Sequence, residues 1–197
     1  MRFYVEGEPP DGFREKFMRS IRHRAMRPLE PDEEDLDRSG WCRLGEAFEI
    51  DLAYDDVFFN SFVNLGFRTD KWAIPTPMLR RHVREAEAAY LGNKGREKLS
   101  RREKSEIKLL VAKKLRKQVS AQTRMVDMSW SLEDRIVRFF SHAQKPAGLM
   151  SELFEKTFSL KLTPESPYTL AARLGLSKTQ KAAWADLEAI ELATEDV

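Results

Sequence analysis

Residues 62–83, FVNLGFRTDKWAIPTPMLRRHV, contain the change of pattern on which the predicted fold depends. Val63, Leu65 and Phe67 recur at every second position, which predicts a strand over residues 62–67 with one apolar face. After a charged turn, Thr76 is suited to cap a helix, and Pro77 fits the first turn because its missing N–H has no helical partner there. The sequence therefore predicts a strand that leads directly into a helix.

That helix is the first of two. Its apolar stripe runs from Leu79 to Tyr90, and glycines at positions 92 and 95 end it. A second helix is predicted from near Ser100 to about Ser120, with Ile107, Val111 and Leu115 on one face. Two helices joined by a glycine-containing turn indicate a helical hairpin.

Nearly all of the excess positive charge lies in this hairpin. Residues 78–117 hold fourteen Lys or Arg and five Glu, a net charge of +9 in a chain whose total is +2. The remainder, with 20 basic and 27 acidic residues, carries −7. Such asymmetry indicates a surface for polyanions on a mildly acidic body. A solvated surface hairpin is the alternative.

The segments on either side predict an α+β body. Strands are predicted at 2–6, 41–52, 62–67, 124–130 and 135–140, helices at 13–26, 146–158 and from Ser177 onward, and loops at 28–37 and 163–167. The predicted fold is an antiparallel sheet packed by helices, with a protruding basic helical hairpin. The body comprises residues 1–75 and 120–176, the hairpin tip 76–119, and a C-terminal amphipathic helix 177–197.

Composition excludes several classes of protein. The 197 residues are 42% hydrophobic and include twelve Phe and four Trp, which is ample material for a core and excludes a disordered chain. No apolar run approaches the ~18 residues of a membrane span, and the N-terminus lacks the apolar stretch of a signal peptide. The single Cys42 excludes an internal disulfide and a cysteine-based zinc site. We therefore predict a cytoplasmic protein.

No catalytic signature is present. The sequence contains neither G-x-x-x-x-G-K-[ST] nor G-x-G-x-x-G, so no phosphate-binding loop is predicted. Four acids near the end of the strand predicted at 41–52 resemble the carboxylates of a metal-dependent nuclease, but an acidic loop has the same composition; they are Glu49, Asp51, Asp55 and Asp56. We predict no enzyme, cofactor or metal, and keep the nuclease as the less favoured alternative.

These features also occur in a particular order. Gly40-Trp41 precedes the strand–turn–helix of residues 62–83, and the basic segment KLSRREKSEIKLLVAKKL follows at 98–115. A β-hairpin at 120–139 and a helix at 142–158 come next. The order resembles that of the RdgC family of bacterial recombination-associated proteins, and the resemblance covers roughly residues 1–165.

Members of the RdgC family are α+β proteins that form ring-shaped head-to-head dimers. They bind double-stranded DNA with little sequence preference and restrain RecA-type recombinases. The resemblance implies the same class here: a nucleoid-associated, non-enzymatic DNA-binding protein that modulates RecA-type activity as a dimeric clamp or ring. The family continues into a C-terminal portion that helps to close the ring and that this sequence does not show, so an open dimer is the alternative.

The predicted DNA contacts are electrostatic. Lys and Arg neutralise phosphates and release condensed counterions, which gives affinity without sequence readout. Lys113, Arg116 and Lys117 lie mostly away from the apolar face of the second helix, which predicts that they are exposed. The residues predicted to bind DNA are Arg80, Arg81, Arg84, Arg101, Arg102, Lys104, Lys108, Lys113, Arg116 and Lys117. The alternative is a protein-interaction module that docks an acidic partner, or its own acidic tail, through the hairpin.

The chain is also expected to form a homodimer. Two hairpins related by a two-fold axis would double the phosphate contacts along one duplex. The interface would use the hairpin tips near Gly92–Gly95 or the final helix with Trp184, Leu187 and Ile190. Alternatively, that last helix packs on the sheet of its own chain.

Overall fold

Seven strands form one antiparallel sheet in the computed structural model, which describes residues 1–186. Six of them lie in the order β2-β4-β5-β6-β1-β7, and β3 pairs with β4. Together with seven helices in these residues the sheet makes an α+β fold, which confirms the predicted class. The elements are β1 (Arg2–Glu6), α1 (Phe13–His23), β2 (Asp37–Cys42), α2 (Tyr54–Val57), β3 (Phe58–Phe59), β4 (Phe62–Lys71), α3 (Thr76–Lys94), α4 (Arg101–Arg116), β5 (Gln122–Ser131), β6 (Ile136–Phe139), α5 (Gln144–Phe158), β7 (Lys161–Pro164), α6 (Pro167–Arg173) and α7 (Lys178–Ala185).

The longest pairing in the sheet joins β4 and β5. The two strands pair over ten positions, from Phe62 opposite Ser131 to Lys71 opposite Gln122. Val63 and Leu65 are fully buried on one face, as the alternating pattern predicts. Because Lys71 and Gln122 are partners, residues 72–121 leave the sheet and return to it at the same end.

The core lies on one face of the sheet, under α1 and α5. Trp41 of β2 is fully buried, and its Nε1 donates a hydrogen bond to Thr157 Oγ1 of α5 at 2.9 Å. The Trp130 ring of β5 meets Phe154 and Phe158 of α5 edge-on, with centroids 5.1 and 5.3 Å apart. These aromatic contacts fix the long helix on the sheet.

On the opposite face, a buried ion pair within β4 is bound by a side chain of β5. Arg68 Nε and Nη2 donate to the two carboxylate oxygens of Asp70 at 2.8 and 2.5 Å, and the Thr123 hydroxyl donates to Asp70 at 2.8 Å. Arg68 Nη1 also donates to the carbonyl oxygen of Ala47, and its guanidinium lies 4.7 Å from the centroid of the Phe48 ring. The pair therefore holds the loop after β2 against the sheet.

The strand predicted at 41–52 is wrong beyond Cys42, where the structure has this loop. β2 ends at Cys42, and Phe48 is 75% exposed where it lies on Arg68. The apparent alternation at Phe48, Ile50 and Leu52 is therefore not a strand register, because the interaction of Phe48 is with a guanidinium rather than with the core.

Several predicted boundaries also differ. α1 ends at His23 because residues 24–26 turn to pair with β2, where Met26 N donates to Trp41 O at 2.7 Å. The loop predicted at 163–167 begins as strand β7 beside β1. The N-cap of α3 is Pro75 without a side-chain cap, so Thr76 is the first helical residue. Gly92 lies within α3, and Gly95, at φ 59°, ends it.

The C-terminal helix begins as predicted. Ser177 and Gln180 exchange the two hydrogen bonds of a capping box at the start of α7. Trp184 packs edge-on against Tyr168 of α6, with ring centroids 5.7 Å apart. Leu187 and Ile190 lie outside the described residues. No helix in residues 1–186 has the length and apolarity that crossing a membrane requires.

Gly40 is the position at which β2 allows no side chain. A Cβ there would lie 2.5 Å from Met26 Cα and 2.7 Å from Met26 N, both backbone atoms. We expect Gly40→Ala to lower the free energy of unfolding by about 1–3 kcal/mol or more, because the paired segments must separate. Chemical denaturation measures the change.

Gly148→Ala is the matched control. Gly148 lies inside α5 with no atom within 4 Å of a new Cβ, so the same substitution should raise the free energy of unfolding by ~0.5–1 kcal/mol. Equal effects at the two glycines would show that β2 is not held against residues 24–26.

Candidate nucleic-acid interface

α3 and α4 pack side by side in opposite directions. Near the turn, the Tyr90 hydroxyl of α3 donates to Glu103 Oε1 of α4 at 3.2 Å. Further from the turn, Leu79 and Val83 of α3 share a cleft with Lys108 of α4. None of the nineteen residues described for α3 (76–94) is buried, so this two-helix element displays most of its side chains to solvent.

Glu103 organises the turn between the helices. Ser100 caps α4: its Oγ accepts from Glu103 N at 3.2 Å, while Ser100 N donates to Glu103 Oε2 at 2.8 Å. Arg96 in the connection donates to the same carboxylate at 3.3 Å. The hydrogen bond from the Ser100 backbone is the largest contribution that lowers the pKa of Glu103. This carboxylate therefore ties the end of α3, the turn and the start of α4 together.

The opposite end of α4 is held by the acidic loop between α1 and β2. Lys113 Nζ donates to the Asp32 carbonyl oxygen at 3.2 Å, and Lys117 Nζ lies 2.9 Å from Asp32 Oδ2. Arg116 Nη1 donates to the Glu33 carbonyl oxygen at 2.8 Å. Three of the ten predicted DNA-binding residues thus contact the protein itself.

The expectation that Arg116 is exposed is wrong. Only 3% of the residue is accessible, and its Nε is buried without a hydrogen-bond partner in residues 1–186. Arg116 lies on the far side of α4 from Ile107, but there the acidic loop covers the helix. A helical stripe read from α4 alone contains no signal for a loop some eighty residues earlier in the chain.

Two further predicted cations are paired along their own helices. Arg81 lies 2.9 Å from Glu85, and Arg102 lies 2.9 Å from Glu106, each four residues later. The hydrogen bond from Arg81 lowers the pKa of Glu85. Exposed pairs of this kind contribute little to helix stability, but they neutralise part of the surface charge.

The other five predicted cations form the free basic surface. Their side chains are exposed and make no ion pair or hydrogen bond within residues 1–186; they are Arg80, Arg84, Arg101, Lys104 and Lys108. Lys98 and Lys114 share this state, although the sequence analysis did not select them. Both lysines belong to the fourteen basic residues counted between positions 78 and 117, so the sequence already contained them as candidates.

Three of these cations converge. Arg80 and Arg84 of α3 and Lys108 of α4 line an open cleft of about 370 Å³ between the helices. Thr76, Leu79 and Val83 complete its lining, which contains no carboxylate. The cleft can therefore attract an anion from three directions.

Two of the four acids suggested for a nuclease, Asp56 and Glu49, serve local structure. Asp56 accepts a hydrogen bond from Ala53 N at 2.9 Å and lies 3.0 Å from Arg43, while Glu49 accepts from Asp51 N at 3.2 Å. Within the described part of the chain, no three His, Cys, Asp or Glu side chains come together as metal ligands would.

Comparison with known proteins adds no family assignment. No protein-family model matches the chain, and no curated protein is significantly similar to it.

Substitutions at Arg116 and Lys114 compare a buried, hydrogen-bonded cation with an exposed one on the same helix. Arg116→Glu would place a buried carboxylate against the Glu33 carbonyl oxygen, and we expect it to lower the free energy of unfolding by about 2–3 kcal/mol. Lys114→Glu makes the same change of charge at an exposed position and should alter it by no more than about 0.5 kcal/mol. Chemical denaturation of both variants tests the contact, and equal stabilities would contradict it.

Proposed function

We propose that the protein binds DNA without sequence specificity and without catalysis, through the α3–α4 hairpin. The single observation that carries the proposal is the free basic surface: five exposed cations on one hairpin, none paired within residues 1–186. Double-stranded DNA is the proposed ligand, as the RdgC resemblance implies.

The mechanism follows from the side chains displayed. Lys and Arg on the hairpin neutralise backbone phosphates, and the release of condensed counterions drives binding. Reading a base edge requires Asn, Gln or Arg inserted into a groove as a bidentate partner. The outward positions of α4 hold lysine and arginine suited to phosphates, so binding depends on charge rather than sequence.

The biological role proposed is that of a recombination-associated modulator of RecA-type activity. A dimeric clamp or ring would bring two hairpins to one duplex and double its phosphate contacts, which raises affinity through effective concentration. Support for the recombinase and for the nucleoid location comes from the RdgC resemblance alone.

A protein partner is the second candidate, and one observation favours it. The acidic loop already docks on α4 through Asp32 and Glu33, and the cations of this region bind its peptide carbonyl and carboxylate oxygens. An acidic protein could engage the free cations in the same manner. Heparin competition and indifference to DNA sequence distinguish the DNA hypothesis from this one.

DNA affinity should fall steeply with salt. With roughly four to six phosphates contacted, a plot of log K against log[salt] should have a slope of about −4 to −5 for duplex. Arg101→Glu/Lys104→Glu removes two free cations and should reduce the slope by about 2. A gel-shift salt series on single- and double-stranded DNA, with and without Mg²⁺, measures binding, strandedness and cleavage together.

Lys145→Glu/Lys156→Glu on α5 is the matched control. Both lysines are exposed and the change of charge is identical, but they lie on the body. This variant should keep most of the wild-type slope. If the hairpin variant and the control weaken binding equally, the hairpin is not the DNA surface, and Mg²⁺-dependent cleavage would revive the nuclease.

Self-association is the prediction that separates a clamp from a simple patch. A clamp requires two copies, so light scattering at micromolar concentration should give a dimer mass, either free or with DNA. A strictly monomeric mass in both states would remove the clamp and leave binding by one hairpin.

A further inference from the structure

We propose that the cleft between α3 and α4 is a binding site for a terminal phosphate monoester, the group present at a phosphorylated DNA strand end. The inference rests on the proposed function for the source of that group. Its structural basis is the convergence of Arg80, Arg84 and Lys108 on one concave surface.

The cations of the cleft differ from their neighbours in how their charge is balanced. Arg81 and Arg102 each have a glutamate four residues later, at ion-pair distance. The corresponding positions after Arg80, Arg84 and Lys108 hold arginine, alanine and alanine. The three cations that line the cleft therefore lack this neutralisation, as do Arg101 and Lys104.

This arrangement costs stability within the protein. Arg80 and Arg84 are four residues apart on α3, and like charges at this spacing repel each other and destabilise the helix. Lys104 and Lys108 repeat the pattern on α4. A bound anion would remove the repulsion, whereas a purely structural hairpin gains nothing from it.

The charge and shape of the cleft select the class of anion. A phosphate monoester carries about −1.5 to −2, compared with −1 for each internal diester of a strand, so it suits a site with three cations better. Arginine forks bind phosphate oxygens in a bidentate manner, and the Thr76 hydroxyl adds a donor in the lining. Internal phosphates of a duplex lie along a convex surface, but a terminal one projects and can enter.

The walls of the cleft leave room for the nucleoside that carries the phosphate. Leu79 and Val83 line it, and such apolar groups lower the local dielectric and strengthen each charge contact. A volume of about 370 Å³ is at the lower end of the ~300–1,000 Å³ typical of small-ligand sites. The site therefore fits a terminal phosphorylated nucleotide rather than a length of duplex.

The test uses the full chain and three probes. They are a blunt duplex with 5′-phosphates, the same duplex with 5′-hydroxyls, and a free nucleoside 5′-monophosphate. Fluorescence anisotropy should show about tenfold tighter binding to the phosphorylated duplex, the ratio that one added charge-assisted contact provides. The monophosphate should compete with the phosphorylated end, which identifies the monoester as the shared ligand.

Variants locate the effect. Arg80→Gln/Arg84→Gln should abolish the preference for phosphorylated ends. Arg101→Gln/Lys104→Gln should weaken binding of both duplexes equally and leave that preference unchanged. All four side chains are exposed and unpaired in residues 1–186, and circular dichroism verifies that each variant is folded.

The outcomes separate the inference from the proposed function. Two results would overturn the phosphate site in the cleft and leave the proposal of DNA binding intact. One is duplex binding without any end preference in the wild type, and the other is a preference that survives Arg80→Gln/Arg84→Gln. If neither duplex binds but the monophosphate does, and the cleft variant removes that binding by calorimetry, DNA binding fails and the cleft stands with a free nucleotide as its source. If neither duplex nor monophosphate binds, both are overturned.

Discussion

The pairing of β4 with β5 determines where the basic surface can be. Because Lys71 and Gln122 are register partners, the fifty residues between them must begin and end at adjacent points of the sheet. The buried Arg68–Asp70 pair, with Thr123 of β5 bound to Asp70, stiffens both strands close to this point. The hydrogen bonds from Arg68 and Thr123 to Asp70 fix the two strands relative to each other here, whereas the buried charge pair is weak evidence of added net stability. The hairpin is thus anchored at a rigid end of the body.

The hairpin itself has little core. α3 contributes no buried residue within 76–94 and α4 buries only Ile107, Leu115 and Arg116, so the contacts at the two ends of the hairpin add to a small apolar interface. At the turn, Glu103 gathers Ser100, Tyr90 and Arg96; at the base, the acidic loop holds α4 through Asp32 and Glu33. Between these two attachments the cations remain open to solvent. The position of the free basic surface is therefore a consequence of how the hairpin is held.

Sequence patterns predicted what local physics decides. The alternation of Val63, Leu65 and Phe67 located β4, and the serine at 177 located a helix start, because each signal lies within a few residues of its effect. Phe48 and Arg116 were misinterpreted because their partners are distant in sequence. A guanidinium on β4 holds the first outside the core, and a loop from the start of the chain covers the second. The same limit applies to three of the ten cations predicted to bind DNA, because Lys113, Arg116 and Lys117 contact a loop some eighty residues earlier. Arg81 and Arg102 differ, since their glutamate partners four residues later are visible in the sequence.

This distinction bears on how strongly the hairpin can bind a polyanion. Counterion release rewards only cations that exchange mobile ions for phosphates. A cation such as Arg116, which is buried and donates to the Glu33 carbonyl oxygen, is not available for that exchange. The net charge of +9 therefore overstates the effective charge of the hairpin. A polyanion would meet only the smaller set of unpaired cations, of which Arg80, Arg84 and Lys108 line a cleft, while Arg101 and Lys104 lie exposed in the first turn of α4.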